Sequence, residues 1–207
     1  PDRGMSYEIG KDLIKTGFEF YSGSDFSSPS SDKAKNEGTL YEQCRKANYT
    51  IARGYKDYRK KAAKADKMIL FQTEDASKRD RYSIPYAIDR TKNDLTLADI
   101  TRAGINFLSK GADEGFFLMV EGSKVDFAAH SNDPLGTISE YEAFDKAVAA
   151  AIDFAKKDGN TTVIVVPDHG TAGMTLGDRN YSGYYKKGLD SVFVMLPHYK
   201  GTGDALN

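Results

Sequence analysis

The chain has 207 residues, enough for one medium-sized domain with a real core, and its composition is that of an ordinary globular protein rather than a fibre or a disordered tail. Its 29 Lys and Arg stand against 30 Asp and Glu, a net charge of -1, so no global basic field exists to attract nucleic acid. No apolar run approaches the ~20 residues that would cross a bilayer.

In chain order, Ile9, Leu13, Ile14 and Phe18 recur at helical spacing after Met5 and predict a helix, which Gly17, Gly23 and the serines between 22 and 31 convert into a polar surface loop. Helical spacing returns over residues 40–47, followed by a short apolar stretch at 49–52, a second helix over 55–65 and a compact strand at 67–71. The single cysteine, Cys44, has no internal disulfide partner, and its helical neighbourhood predicts a buried or half-buried thiol. Residues 72–94 are polar and contain Pro85, which predicts a long connection, and such loops lie near function or at an interface. A helix over 95–108 follows, then a strand at 116–120, a helix over 138–156, a strand at 161–166 and a last apolar run at 192–196.

The strands at 116–120 and 161–166 are apolar without alternation, which suits strands covered on both faces. The expected fold class is therefore α/β, a three-layer sandwich with a mainly parallel central sheet flanked by helices. No internal repeat breaks the chain, so residues 1–207 are expected to form one domain.

In an open parallel sheet, ligand-handling residues gather where strands end. Directly after the strand at 116–120 stands Glu121-Gly122-Ser123-Lys124-Val125-Asp126-Phe127-Ala128-Ala129-His130. The i, i+4 spacing of Asp126 and His130 sends both side chains the same way from a helical turn, an efficient zinc half-site. After the strand at 161–166 stands Pro167-Asp168-His169-Gly170, again one acid beside one imidazole. A lone acid or histidine at a strand end is ordinarily a helix cap or a solvated loop residue. Two such couples, using two of only three histidines, point instead to metal binding.

The first run, preceded by Phe117-Leu118-Met119-Val120, resembles the alkaline phosphatase segment that supplies a magnesium-binding Glu and a zinc-binding Asp and His. Val165-Val166-Pro167-Asp168-His169-Gly170-Thr171-Ala172-Gly173-Met174-Thr175 is similar to that family's Asp-His pair for a second zinc, and Ile84-Pro85-Tyr86-Ala87-Ile88-Asp89-Arg90 looks like its bacterial members. Pro1-Asp2-Arg3-Gly4-Met5-Ser6-Tyr7-Glu8-Ile9 resembles the stretch holding the family's phosphate-clamping arginine, which would be Arg3.

The resemblance implies an alkaline phosphatase-like fold, in part, and hydrolysis of small phosphate monoesters through a phosphoserine intermediate. It implies two zinc ions and one magnesium ion per site, with Glu121 on magnesium, Asp126 and His130 on one zinc, and Asp168 and His169 on the other. By the same resemblance the intact enzyme would be a periplasmic or secreted homodimer, although Pro1-Asp2-Arg3-Gly4 carries no signal peptide, and the balanced charge and short apolar runs argue for no nucleic-acid and no membrane partner.

The family's nucleophilic serine and an early metal-bridging Asp belong to a segment expected before this chain, and a last zinc-binding His is expected beyond Asn207. The chain alone is therefore expected to be inactive. Phe127 departs from relatives with Lys or His after the zinc-binding Asp, and His198, in Leu196-Pro197-His198-Tyr199-Lys200, lacks the family's ligand context and reads as a surface histidine. Two other readings stand beside this one: another hydrolase of the same superfamily (phosphodiesterase, phosphomutase or sulfatase), and a non-catalytic domain that binds metal or phosphate.

Overall fold

In the computed structural model, which describes residue 2, residues 4–80 and residues 82–171 apart from the side chains of residues 33 and 34, the expected first helix is α1 (Ser6–Thr16). Gly17 ends it at φ 74°, in the left-handed region that a residue without Cβ enters at no steric cost. The stretch read as a polar loop differs from expectation, because its first residues form strand β1 (Phe20–Gly23). Four residues give too short a pattern to read as a strand alone, and what holds them extended is a neighbour distant in the chain.

That neighbour is β3 (Lys67–Phe71), which pairs in parallel with β1 on one side and with β2 (Tyr49–Arg53) on the other, giving the order β1-β3-β2. α2 (Leu40–Lys46) leads into β2, and α3 (Gly54–Lys61) with a short 3-10 turn at Ala62–Lys64 leads from β2 to β3. Thr39 starts α2 with a capping box: its hydroxyl accepts from the Glu42 amide at 3.3 Å, and Glu42 accepts from the Thr39 amide at 2.7 Å.

The central strand divides its side chains between two layers. Met68 and Leu70 pack with Tyr58, Ile100 and Phe107, while Ile69 and Phe71 pack with Cys44 and Tyr49 on the opposite face. Met68, Ile69 and Leu70 are all buried, and each such side chain stabilises the fold by about 1.5–3 kcal/mol. The fold is thus a parallel open sheet with helices on both faces, as expected. Cys44 is fully buried, and burial pushes its thiol up to about 11.

Past β3 the buried Gln72 extends the ladder with its side chain. Its Nε2 donates to the Leu95 carbonyl at 2.7 Å, and its Oε1 accepts from the Leu95 amide at 2.8 Å. The long connection between them holds α4 (Glu74–Arg79) and a 3-10 turn at Ala87–Asp89. It leads to α5 (Leu97–Leu108), which begins after Leu95 because Thr96 and Asp99 form a second capping box. α6 (Ser123–His130) follows. α7 (Pro134–Asp158) starts four residues before the expected 138, since Pro134 suits the first helical turn and Asp133 Oδ1 caps the Gly136 amide at 2.9 Å.

Two expected strands are not strands here. Residues 116–120 and 161–166 carry no ladder among the described residues, and they are not covered on both faces. Phe117 and Met119 are 87 % and 78 % exposed, whereas Leu118 and Val120 are half-buried against α5 and α7. Ile164 and Val166 are likewise 77 % and 72 % exposed. Helices cover one side only, and a ladder needs a paired backbone beside it. The apolar run at 192–196 lies outside the described residues.

Candidate functional site

Residues 116–122 deliver the chain to α6 with a close approach at Gly122: a Cβ there would stand 2.7 Å from the Phe144 ring of α7. The glycine of this motif therefore lets α6 sit tight on α7. Along α6, Lys124 and Ala128 are buried while Asp126 is half-buried and His130 exposed. The i, i+4 arrangement expected for Asp126 and His130 is realised, with Asp126 Oδ1 3.5 Å from His130 Nε2.

Asp168 and His169 form the other couple, with Asp168 Oδ2 3.3 Å from His169 Nε2. Between the couples stands Thr171. Its hydroxyl donates to Asp126 Oδ1 at 2.5 Å and lies 3.1 Å from His169 Nδ1. The hydroxyl has one proton, and a carboxylate can only accept, so that proton goes to Asp126. Nδ1 of His169 also lies 3.2 Å from the Gly170 carbonyl, another pure acceptor. Nδ1 thus has two oxygens within hydrogen-bonding range, and Nε2 faces the Asp168 carboxylate.

These spacings bear on metal binding. Ligands 2.0–2.2 Å from a tetrahedral zinc stand about 3.4 Å apart, and both couples match that figure while exceeding an ordinary N–H···O length. The donor set of imidazole nitrogen and carboxylate oxygen suits zinc. Each couple by itself is half a shell. Among the described residues no three His, Cys, Asp or Glu side chains gather closely enough to hold an ion.

Glu121 is exposed and has no hydrogen bond or ion pair among the described residues, so it is not joined to the couples. Arg3, His198 and the Gly173-Met174-Thr175 end of the second motif lie outside the described residues. Phe127 is 40 % exposed, and its ring centroid lies 5.3 Å from Lys124 Nζ, so it shields that ammonium from one side.

Sequence reading assigned no role to Thr171 or Lys124. Nothing local reveals which carboxylate Thr171 will meet. The position of Lys124, four residues before Ala128 on the side of α6 away from Asp126, was a usable signal of burial.

A separate cleft of about 530 Å³ opens at the ends of β1, β2 and β3, lined by Asp25, Tyr41, Arg53, Ser77, Arg79 and Asp80 among others. Arg53 Nη2 donates to Asp25 at 2.8 Å, Tyr41 donates to the same carboxylate at 2.5 Å, and burial pushes the Tyr41 phenol up to about 12. The cleft contains none of the expected metal ligands.

The family model for alkaline phosphatase matches residues 21–200. Alkaline phosphatase 3 of Bacillus subtilis is 41% identical over 143 residues, 69% of this chain and 29% of that protein. The solved alkaline phosphatase of the Antarctic bacterium TAB5 superimposes with a TM-score of 0.70 at 33% identity, over 88% of this chain and 51% of that one. A variant of the TAB5 enzyme with Mg bound in its M3 site superimposes with a TM-score of 0.63 at 30% identity, over 77% of this chain and 42% of that one. The chain thus spans about half of the solved relative and under a third of the curated one.

Proposed function

The chain belongs to the alkaline phosphatase family, and from that premise we propose that it contributes metal-binding halves to a phosphomonoesterase site with two zinc ions and one magnesium ion. The observation that carries the proposal is the bridge of Thr171 between the Asp126/His130 and Asp168/His169 couples, each with the spacing that suits a shared tetrahedral ion.

In this reading Asp126 and His130 hold one zinc, Asp168 and His169 the other, and Glu121 offers magnesium a hard oxygen. Arg3 pairs with phosphate oxygens through its planar guanidinium. When bound, such cations neutralise phosphoryl charge, stabilise the leaving oxygen and promote the attacking one, which a phosphate monoester needs because it hydrolyses extremely slowly unaided. Thr171 keeps Asp126 oriented, and its contact with Nδ1 of His169 fixes the orientation of that ring.

The covalent step through a phosphoserine belongs, by family resemblance, to a residue that this chain does not supply. The homodimeric state and periplasmic or secreted location are part of the same proposal. Among the described residues no helix is long and apolar enough to cross a membrane.

The test is hydrolysis of p-nitrophenyl phosphate. The expected result is zinc-dependent turnover by a longer natural product carrying this chain, abolished by Asp168→Ala, and none by the 207-residue chain. Undiminished turnover in the Asp168→Ala protein would overturn the assignment, and turnover by the short chain would overturn its inactivity.

A further inference from the structure

Lys124 is a cation in the protein interior, only 4 % exposed, two residues from a proposed zinc ligand. Its ammonium donates to Asp80 Oδ2 and stands 3.9 Å from the centroid of the Tyr86 ring, with Phe127 on a further side. Asp80 is itself held from several directions. Its other carboxylate oxygen accepts from the amides of Tyr82 and Ser83 at 3.0 and 3.1 Å, and its backbone carbonyl accepts from the Ser24 hydroxyl just past β1. Beside this clamp the hydroxyls of Ser83 and Ser123 meet at 3.1 Å.

We infer that Lys124 is a positioning residue for the proposed metal site, locking the rotation of α6 so that Asp126 and His130 face Thr171 and His169. The inference rests on the zinc reading above. Residues two apart on an α-helix point about 200° apart, so Lys124 grips the side of α6 opposite Asp126. Rotating or sliding the helix carries the ammonium away from Asp80 and breaks the Lys124–Asp80 pair. The helix has no side-chain N-cap bond, and the polar anchors of its first turn are Lys124 on Asp80 and Ser123 on Ser83. An apolar side chain would fill the same space without specifying rotation, because dispersion contacts are non-directional whereas a buried ammonium must find its acceptor. The clamp also connects the sheet to the site, since Asp80 is bonded to the exit of β1 and lines the strand-end cleft.

The experiment compares the 207-residue chain with Lys124→Met, Lys124→Arg and the double variant Lys124→Met/Asp80→Asn, using Co(II) as the spectroscopic probe and Zn(II) in competition. Loss of a partner that orients a metal ligand lowers affinity by about 10–100-fold. Lys124→Met is expected to show that loss and a weakened visible Co(II) band at unchanged helix content, and Lys124→Arg to recover both. The double variant, which leaves no lone buried charge, covers the case in which Lys124→Met fails to fold, and it is expected to fold yet bind Co(II) as weakly. If either variant lacking the ammonium folds and binds Co(II) as the parent does, the inference is overturned.

A parent chain that binds neither ion would show that two couples, each half a shell, do not hold an ion by themselves. Positioning would still be decided by the metal-free imidazole ¹⁵N spectrum. There Lys124→Met is expected to displace the His169 Nδ1 signal by separating Thr171 from Asp126, and an unmoved signal refutes it.

Discussion

Thr171 and Asp126 stand 45 positions apart in the chain and meet through a 2.5 Å hydrogen bond from the Thr171 hydroxyl to Asp126 Oδ1. That bond, continued to His169, brings two acid–imidazole couples from separate sequence motifs onto one small surface.

Replacing Thr171 by Val keeps the shape and removes the bridging proton. Because Asp126 then loses its orienting donor, zinc affinity of the chain should fall about tenfold with helix content unchanged. Competition titration against a chromophoric chelator measures this, and equal affinity would show that the hydroxyl is incidental.

Asp126→Ala and Asp168→Ala each delete the carboxylate of one couple and leave the other couple intact. Each single variant should therefore lose one bound zinc and the double variant both, read as metal per chain by elemental analysis after dialysis. Two ions retained by the double variant would place the metal elsewhere.

Asp94 links folding to pH. Its side chain is 1 % exposed; burial pushes its carboxyl up, but Arg79 Nη2, at 2.8 and 2.7 Å from its two oxygens, and the Thr91 amide at 2.7 Å outweigh this and hold it below the usual value. A group lowered in the folded state contributes stability that is present above the unfolded value of about 3.9 and lost as pH falls through the folded value. Asp94→Asn should cost about 1.5–3 kcal/mol at pH 7 and progressively less below pH 4, measured by urea melts at pH 7 and pH 3. The same cost at both pH values would remove Asp94 from the acid response.

Cys44, with its thiol pushed up to about 11 by burial, has almost no thiolate at neutral pH and no exposed surface. It should resist a thiol-specific disulfide reagent at pH 8 in the native protein and react fully in denaturant. Rapid reaction of the native chain would contradict its burial beneath β3.

Gln72→Leu should cost about 2–4 kcal/mol, because it strands both the N–H and the C=O of Leu95 in the core. Hydrogen exchange at the Leu95 amide should accelerate by a similar free energy, and unchanged exchange would mean that another acceptor takes over.

The apolar text of residues 67–71 announced a compact strand, which the structure places at the centre of the sheet, and the helical spacings announced most of the helices. β1 escaped notice because residues 20–23 become a strand only through their register with residues 68–71. Residues 116–120 and 161–166 looked like strands yet lie unpaired among the described residues, since periodicity records what a segment suits and not which backbone lies next to it. The Asp126/His130 couple was legible because four residues of α-helix align two side chains whatever surrounds them.

The identities and local spacings of the ligand types were thus in the sequence, as was their likeness to alkaline phosphatases. Which groups meet was not: Thr171 with Asp126, Lys124 with Asp80 and Gln72 with Leu95 are joined across 45, 44 and 23 positions. Local geometry follows from bonded neighbours and the helical repeat, whereas contacts over such separations depend on how whole layers pack, a property of the folded chain that no short stretch of it encodes.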